Sequence, residues 1–226
     1  GSQNVVANAL TSILALIAGR ATAADVLAVC GLDPVRIRFG ISLDDLELFD
    51  KWVAELGTTW GLDGAHRDDW LSADVHDGTW AATIDHVLVG AAMPAPTPRI
   101  GVGGIVPFDD VDSGGFAAAG KLADLLARLR VARDRARHAR PISEWCDVLV
   151  ELVESTLATR PSDSWQVAEV VRAIDEIRDQ SVVADSGSTA PLVLADVRAL
   201  VGAAVSSSTG RLDLRSGAVT MTAMVP

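Results

Sequence analysis

An all-α fold is predicted by three observations. Apolar residues recur at three- and four-residue intervals along most of the chain, Gly and Pro cluster between those stretches, and Ser, Thr or Pro stand where several of them begin. Only the end departs from this: residues 217–226 alternate Val and Met with Thr, a strand pattern. A lone strand leaves its backbone groups unpaired, so this one is expected to belong to a sheet outside the chain.

The first predicted helix covers 5–17, with Val6, Leu10, Ile13, Leu14 and Ile17 on one face and Gly19 as its stop. Thr22 and Asp25 form a capping box for a short helix that Gly31 closes. Ser42 opens the next, with Asp44 and Asp45 in the first turn where the helix dipole favours negative charge. Leu46, Phe49, Trp52, Val53 and Leu56 face inward, and Gly57 ends the run. Residues 58–79 are irregular. A helix over 80–93 follows, with Ile84, Val87, Leu88 and Ala91 on one face.

Residues 94–115 hold so many Pro and Gly that regular helix is excluded there. Beyond them, 116–138 presents Leu122, Leu125, Leu126, Leu129 and Ala132. Residues 142–158 present Trp145, Leu149, Leu152 and Val153, and 165–182 present Val167, Val170, Val171, Ile174 and Ile177. Pro191 precedes a last helix with Leu194, Val197, Leu200 and Val201, and 206–210 is expected as a loop. The chain thus divides into an N-terminal helical part (3–93), a Pro/Gly-rich loop (94–115), a C-terminal helical part (116–205) and the strand (217–226).

Nearly half of the 226 residues are hydrophobic, enough for a sizeable core, and the net charge is −11. So acidic a chain is a poor stand-alone binder of nucleic acid, because phosphate contacts need clustered Lys and Arg. Cys30 and Cys146 sit in apolar helical patterns and read as buried reduced thiols. No targeting segment or membrane span is visible, which points to the cytoplasm. Gly1-Ser2 and the lack of an initiator Met read as the mark of an excised piece.

Several groups invite a chemical reading. His66 lies near Asp68 and Asp69, His76 beside Asp77, and Asp85 beside His86, residue types that bind divalent metals. His76-Asp77 precedes Gly78 in a loop rather than standing on a bundle helix, so solvated loop polarity accounts for it better. The Gly101–Gly104 stretch lacks the Lys-Ser/Thr pair of a phosphate loop. The sharpest charge feature is Arg128, Arg130, Arg133, Arg135, Arg137 and Arg140 at one helix end. They complement the macrodipole and make a candidate contact for nucleic acid or a subunit, against the plainer reading of a solvated surface. Trp52, Trp145 and Trp165 fall in amphipathic stripes, so core packing explains them better than base stacking.

A series of short strings resembles one family. Trp52-Val53, Gly57 and Trp60-Gly61-Leu62-Asp63 come first, then Thr79-Trp80 heading a helix that ends at Gly90 and Met93. Val106-Pro107-Phe108-Asp109, Arg140-Pro141 with Glu144-Trp145, and Pro191-Leu192 with Leu194 and Val197 follow. Val219-Thr220-Met221-Thr222-Ala223-Met224-Val225-Pro226 is last. Together, in this order, they resemble the RecC family, the gamma subunits of exodeoxyribonuclease V. The last string also resembles a degenerate motif from the second motor domain of UvrD-like (superfamily 1) helicases. The resemblance implies a helical accessory subdomain of such a helicase fold, followed by a strand of that motor domain. It implies a structural or DNA-channel role without catalysis of its own, and no cofactor or metal. The partners implied are RecB-like and RecD-like subunits, with double-stranded DNA ends and unwound single strands reached through the whole complex. The implied setting is recombination repair with a response to Chi sequences. Two rivals stand beside it: a metal-dependent phosphohydrolase using His66, His76, Asp77 and Asp85, and a helical adaptor unrelated to DNA.

Overall fold

The computed structural model of the chain describes residues 4–70, 75–92, 113–183 and 190–210. Over these residues the regular structure is helical, without a strand: α1 (Val5–Ala18), α2 (Ala23–Cys30), α3 (Asp33–Phe39), α4 (Leu43–Leu56), α5 (Gly64–Arg67), α6 (Trp80–Ala92), α7 (Ser113–Ala136), α8 (Ile142–Thr156), a 3-10 turn (Pro161–Asp163), α9 (Trp165–Val183) and α10 (Leu194–Gly210). The expected strand at 217–226, the string at 106–109 and residues 94–112 of the expected loop lie outside the described residues. No described helix is long and apolar enough to cross a membrane.

Local chemistry sets the helix ends. Asn4 caps α1 by accepting from the amides of Val6 and Ala7. Thr22 with Asp25 forms the expected capping box and Ser42 with Asp45 forms a second, each matching two amides that the first turn leaves free. Asp45 does more than cap. Its Oδ2 also takes the Lys121 ammonium at 2.7 Å, fastening α4 to α7. Burial pushes this carboxyl up, but the Lys121 hydrogen bond and charge and the two Ser42 bonds together hold it below the ordinary Asp value.

The hub is α1, which packs on α2, α3, α7, α9 and α10. Val6, Leu10, Ile13, Leu14 and Ile17 point inward as their spacing requires. Around it, α6 pairs with α7 and α8 with α9, so both helical parts share one hydrophobic core. Trp52, Trp80 and Trp145 are its largest buried side chains, and Cys30 and Cys146 are buried free thiols.

Six details depart from the sequence expectation. An additional helix, α3, forms over Asp33–Phe39 because Pro34 fits a first turn and Pro34 and Val35 are buried. The irregular stretch 58–79 contains the one-turn helix α5. Helix α7 starts at Ser113, taking Gly114 and Gly115 into its first turn. A glycine in a helix costs only about 1 kcal/mol, so the rest of a 24-residue helix carries both. Residues 206–210 continue α10 instead of forming a loop, since Ser and Thr disfavour helix by only about half a kcal/mol each. Trp165 is not a core residue: it is 48 % exposed, as its place nine residues before buried Ile174 requires, roughly half a turn away at 3.6 residues per turn. Leu200 is likewise exposed, roughly a quarter turn off the Val197–Val201 stripe.

These environments separate the tryptophans energetically. In chemical denaturation, Trp145→Ala is expected to lower stability by about 3–5 kcal/mol, and Trp165→Ala by less than about 1 kcal/mol. Equal losses would contradict the packing described.

Candidate functional site

The irregular stretch between α4 and α6 closes around one side chain. Asp63 starts α5 by accepting from the His66 amide at 2.8 Å, and the turn directs His66 and Arg67 into the protein. Arg67 is 3 % exposed. All five of its N–H groups are matched: Nε and Nη2 to the Trp60 carbonyl (3.1 and 2.8 Å), Nη1 to the carbonyls of Val75 and Asp77 (3.0 and 2.7 Å), and Nη2 to Thr59 Oγ1 (3.3 Å). The guanidinium also lies 4.8 Å from the centre of the Trp60 ring, which Arg20 approaches at 5.5 Å. Burial pulls the Arg67 pKa below its usual value while the nearby Asp77 charge resists.

Two glycines make room for it. Gly61 has φ +87°, and a Cβ there would meet Arg67 Cγ at 3.0 Å; Gly78 has φ +71° and backs onto Thr59. The backbone then joins segments distant in sequence. The Gly61 amide bonds the carbonyls of Arg20 and Ala21, and the amides of Trp80 and Ala81 bond the carbonyls of Gly61 and Leu62 at 3.0 Å. The strings Trp60-Gly61-Leu62-Asp63 and Thr79-Trp80 are therefore two sides of one knot.

His66 is its second buried polar group. The Leu62 amide donates to Nδ1 (3.3 Å), and Nε2 lies 3.0 Å from the Gly19 carbonyl. An amide only donates and a carbonyl only accepts, so the ring is neutral with its proton on Nε2. Burial lowers its pKa, the Gly19 carbonyl raises it, and Arg133 lowers it further. Trp70 stacks over the ring at 5.6 Å.

The six arginines of the sequence expectation are divided among three tasks. Arg133 is not on the solvent face: it is 5 % exposed, because it follows inward Leu129 by four residues. It bonds Asp69 Oδ2 at 2.6 Å and the His66 carbonyl at 3.3 Å. Arg137 reaches the same Asp69 and Arg130 reaches Asp63, so these three hold α7 to the knot. Arg135 crosses to Glu151 on α8, while Arg128 pairs with Asp124 on its own helix and lies over Phe39. Arg140 covers the Trp145 ring at 5.3 Å. It also begins a second junction: residues 140 and 192 exchange backbone hydrogen bonds (3.1 and 2.8 Å), and Trp145 Nε1 donates to the Leu192 carbonyl at 2.9 Å. Here too, strings distant in sequence, Arg140-Pro141, Glu144-Trp145 and Pro191-Leu192, meet in space.

The residues of the metal reading do not converge. His66 has both nitrogens engaged inside, and His76 pairs with Asp85 at 3.5 Å on the surface. Among the described residues no group of three or more His, Cys, Asp or Glu is placed to hold a metal. Solvated loop polarity does not describe His66 and Arg67 either, since both are buried. Arg67, which organises the site, was given no role from sequence, and Asp69 was read only as an acid near His66; the glycines at 61 and 78 on either side of an Arg were the available signal.

Comparison with known proteins returns one family. The family profile described as "RecBCD enzyme subunit RecC fourth domain" matches residues 3–209. The protein named RecBCD enzyme subunit RecC of Mycolicibacterium smegmatis is 38 % identical over 215 residues, 95 % of this chain and 19 % of the relative. Its namesake in Mycobacterium tuberculosis is 35 % identical over 225 residues, 99 % of this chain and 20 % of the relative. The Escherichia coli namesake is 26 % identical over 191 residues, 84 % of this chain and 17 % of that protein. The chain thus spans about a fifth of the length of the curated relatives it matches.

The knot carries two expected outcomes. Arg67→Met removes a buried guanidinium and leaves three carbonyls without their donor, and is expected to lower stability by about 3–5 kcal/mol, whereas Arg130→Ala, in a half-exposed pair, is expected to change it by less than about 1 kcal/mol. Denaturant titration of the two variants measures this. His66, with a folded pKa below 6.5, contributes stability that is complete above that value and lost as pH falls through the lower folded value. Thermal midpoints should therefore drop on acidification below about pH 6.5, and an NMR titration should place the His66 pKa under its ordinary value. A His66 pKa at or above 6.5 would contradict the buried, neutral ring.

Proposed function

The chain belongs to the RecC family, matching its fourth domain, and on that footing we propose that it is a scaffold module of a RecC-type subunit with no catalysis of its own. One observation carries the reading: the described family strings at 60–63, 79–80, 140–145 and 191–192 are engaged in contacts inside the module. Trp60 faces Arg67, Gly61 admits it, Leu62 holds His66, Asp63 caps α5 and meets Arg130, and Trp145 bonds Leu192. Residues arranged in this way keep two junctions rigid, and a rigid body is what a subunit guiding DNA strands between partners needs.

The arginine cluster supports shape rather than phosphate capture. Asp63, Asp69, Asp124, Asp134 and Glu151 stand against its six charges, leaving the face close to neutral. The half-exposed Arg128, Arg130, Arg135 and Arg137 serve as contacts to a neighbouring subunit or as the wall of a DNA channel, with each positive charge already opposed. The module acts as an accessory subdomain inserted in a UvrD-like second motor domain. Asn4, at the start of α1, and Val205, late in α10, border the same cavity, and an inserted domain needs its two ends together. Its partners are RecB-like and RecD-like subunits, and its setting is the processing of double-strand ends in recombination repair.

Assembly tests the reading directly. The intact polypeptide carrying this module should co-purify with RecB-like and RecD-like subunits, and Arg67→Met should reduce that yield several-fold. Failure of the unmodified polypeptide to assemble would refute the assignment. The module itself should bind duplex DNA no tighter than non-specifically, at micromolar or weaker Kd near 150 mM salt; tight, salt-resistant binding would overturn the scaffold picture.

A further inference from the structure

Helix α1 has no charged residue from Val5 to Ala18, in a chain where 22 % of residues are charged. A helix of this kind is normally covered on all sides. Yet Val5, Asn8, Thr11 and Ala15 are exposed along one stripe of it. The hydroxyls there bond the helix itself, Thr11 to the Ala7 carbonyl and Ser12 to the Asn8 carbonyl, both at 3.0 Å. Covering the stripe therefore strands neither hydroxyl proton. Beside it α10 exposes Ala195 and Ala199, and a groove of about 320 Å³ runs between the two helices over Leu14 and Val201. Among the described residues, Arg198 is the one charged residue lining it.

We propose that this groove seats an apolar segment from the remainder of the same RecC-type polypeptide. The inference rests on the reading of the chain as a module of a longer protein, as relatives about five times its length indicate. The charge pattern selects this occupant. A partner arriving by diffusion is steered and oriented by charge, and this face offers a single arginine; a segment of the same chain is delivered by covalent connection and needs no steering. The antiparallel course of α1 and α10, with Thr11 and Leu14 beside Ala195 and Arg198, gives the segment two parallel walls.

Cysteine labelling of the intact polypeptide, purified alone, tests this. Thr11→Cys and Ala199→Cys place small thiols on the two walls, and Arg172→Cys on solvent-facing α9 is the reference; the natural Cys30 and Cys146 are buried. With rates read by peptide mass spectrometry, both wall positions should react with maleimide at least tenfold more slowly than position 172, at every protein concentration. Equal rates would overturn the proposal. So would protection that appears only with added RecB-like and RecD-like subunits, or only at high concentration, since the occupant is then another chain. Assembly with partner subunits is scored on the same preparation. Its loss counts against the functional reading, and unprotected walls in an assembling protein count against the groove alone.

Discussion

A guanidinium withdrawn from water must have each N–H matched, and Arg67 meets that demand with oxygens from residues 59, 60, 75 and 77. That requirement dictates the course of the loop between α4 and α6. The chain must return past the arginine, which places left-handed glycines at 61 and 78 and sets Trp60 as a face for the cation. The same closure brings the start of α6 onto Gly61 and Leu62, so the direction in which Trp80 enters the core follows from it. A lysine could not substitute, because one ammonium cannot fork to carbonyls on opposite sides of the loop.

The outer arginines extend this logic to longer range. Asp69 lies in the knot and is shared by Arg133 and Arg137 of α7, so the N-terminal part is keyed to the C-terminal part through one carboxylate. Arg135 and Arg140 pass the connection to α8 and to the 140–192 junction. A run of cations that looks like a binding surface in one dimension becomes a set of internal struts once its partners are in place. An acidic chain has carboxylates to supply those partners.

The helices were legible where spacing and caps agreed: Thr22 with Asp25, Ser42 with Asp45, and the stripes of α1, α7 and α8 follow from local rules. Trp165 and Leu200 were misplaced because a single apolar residue near a stripe says little about the centre of that stripe, which only packing reveals. The junctions were not legible at all. Each depends on residues separated by tens of positions, with backbone carbonyls as acceptors, and a carbonyl has no identity in a sequence. The family strings marked the places, but only the fold showed that 60–63 meets 79–80, and that 140–145 meets 191–192.

The central position of α1 has a consequence for synthesis. This charge-free helix precedes every other described helix, yet its neighbours α9 and α10 come about 150 or more residues later. At 5–20 residues per second, roughly 10–40 s separate the emergence of α1 from that of α10. Throughout that interval the most apolar of the described helices lacks those two neighbours, and α2 and α3 are the first of its packing partners to follow it. Early packing of α1 to α3 thus protects the nascent chain from aggregation before it becomes part of the core.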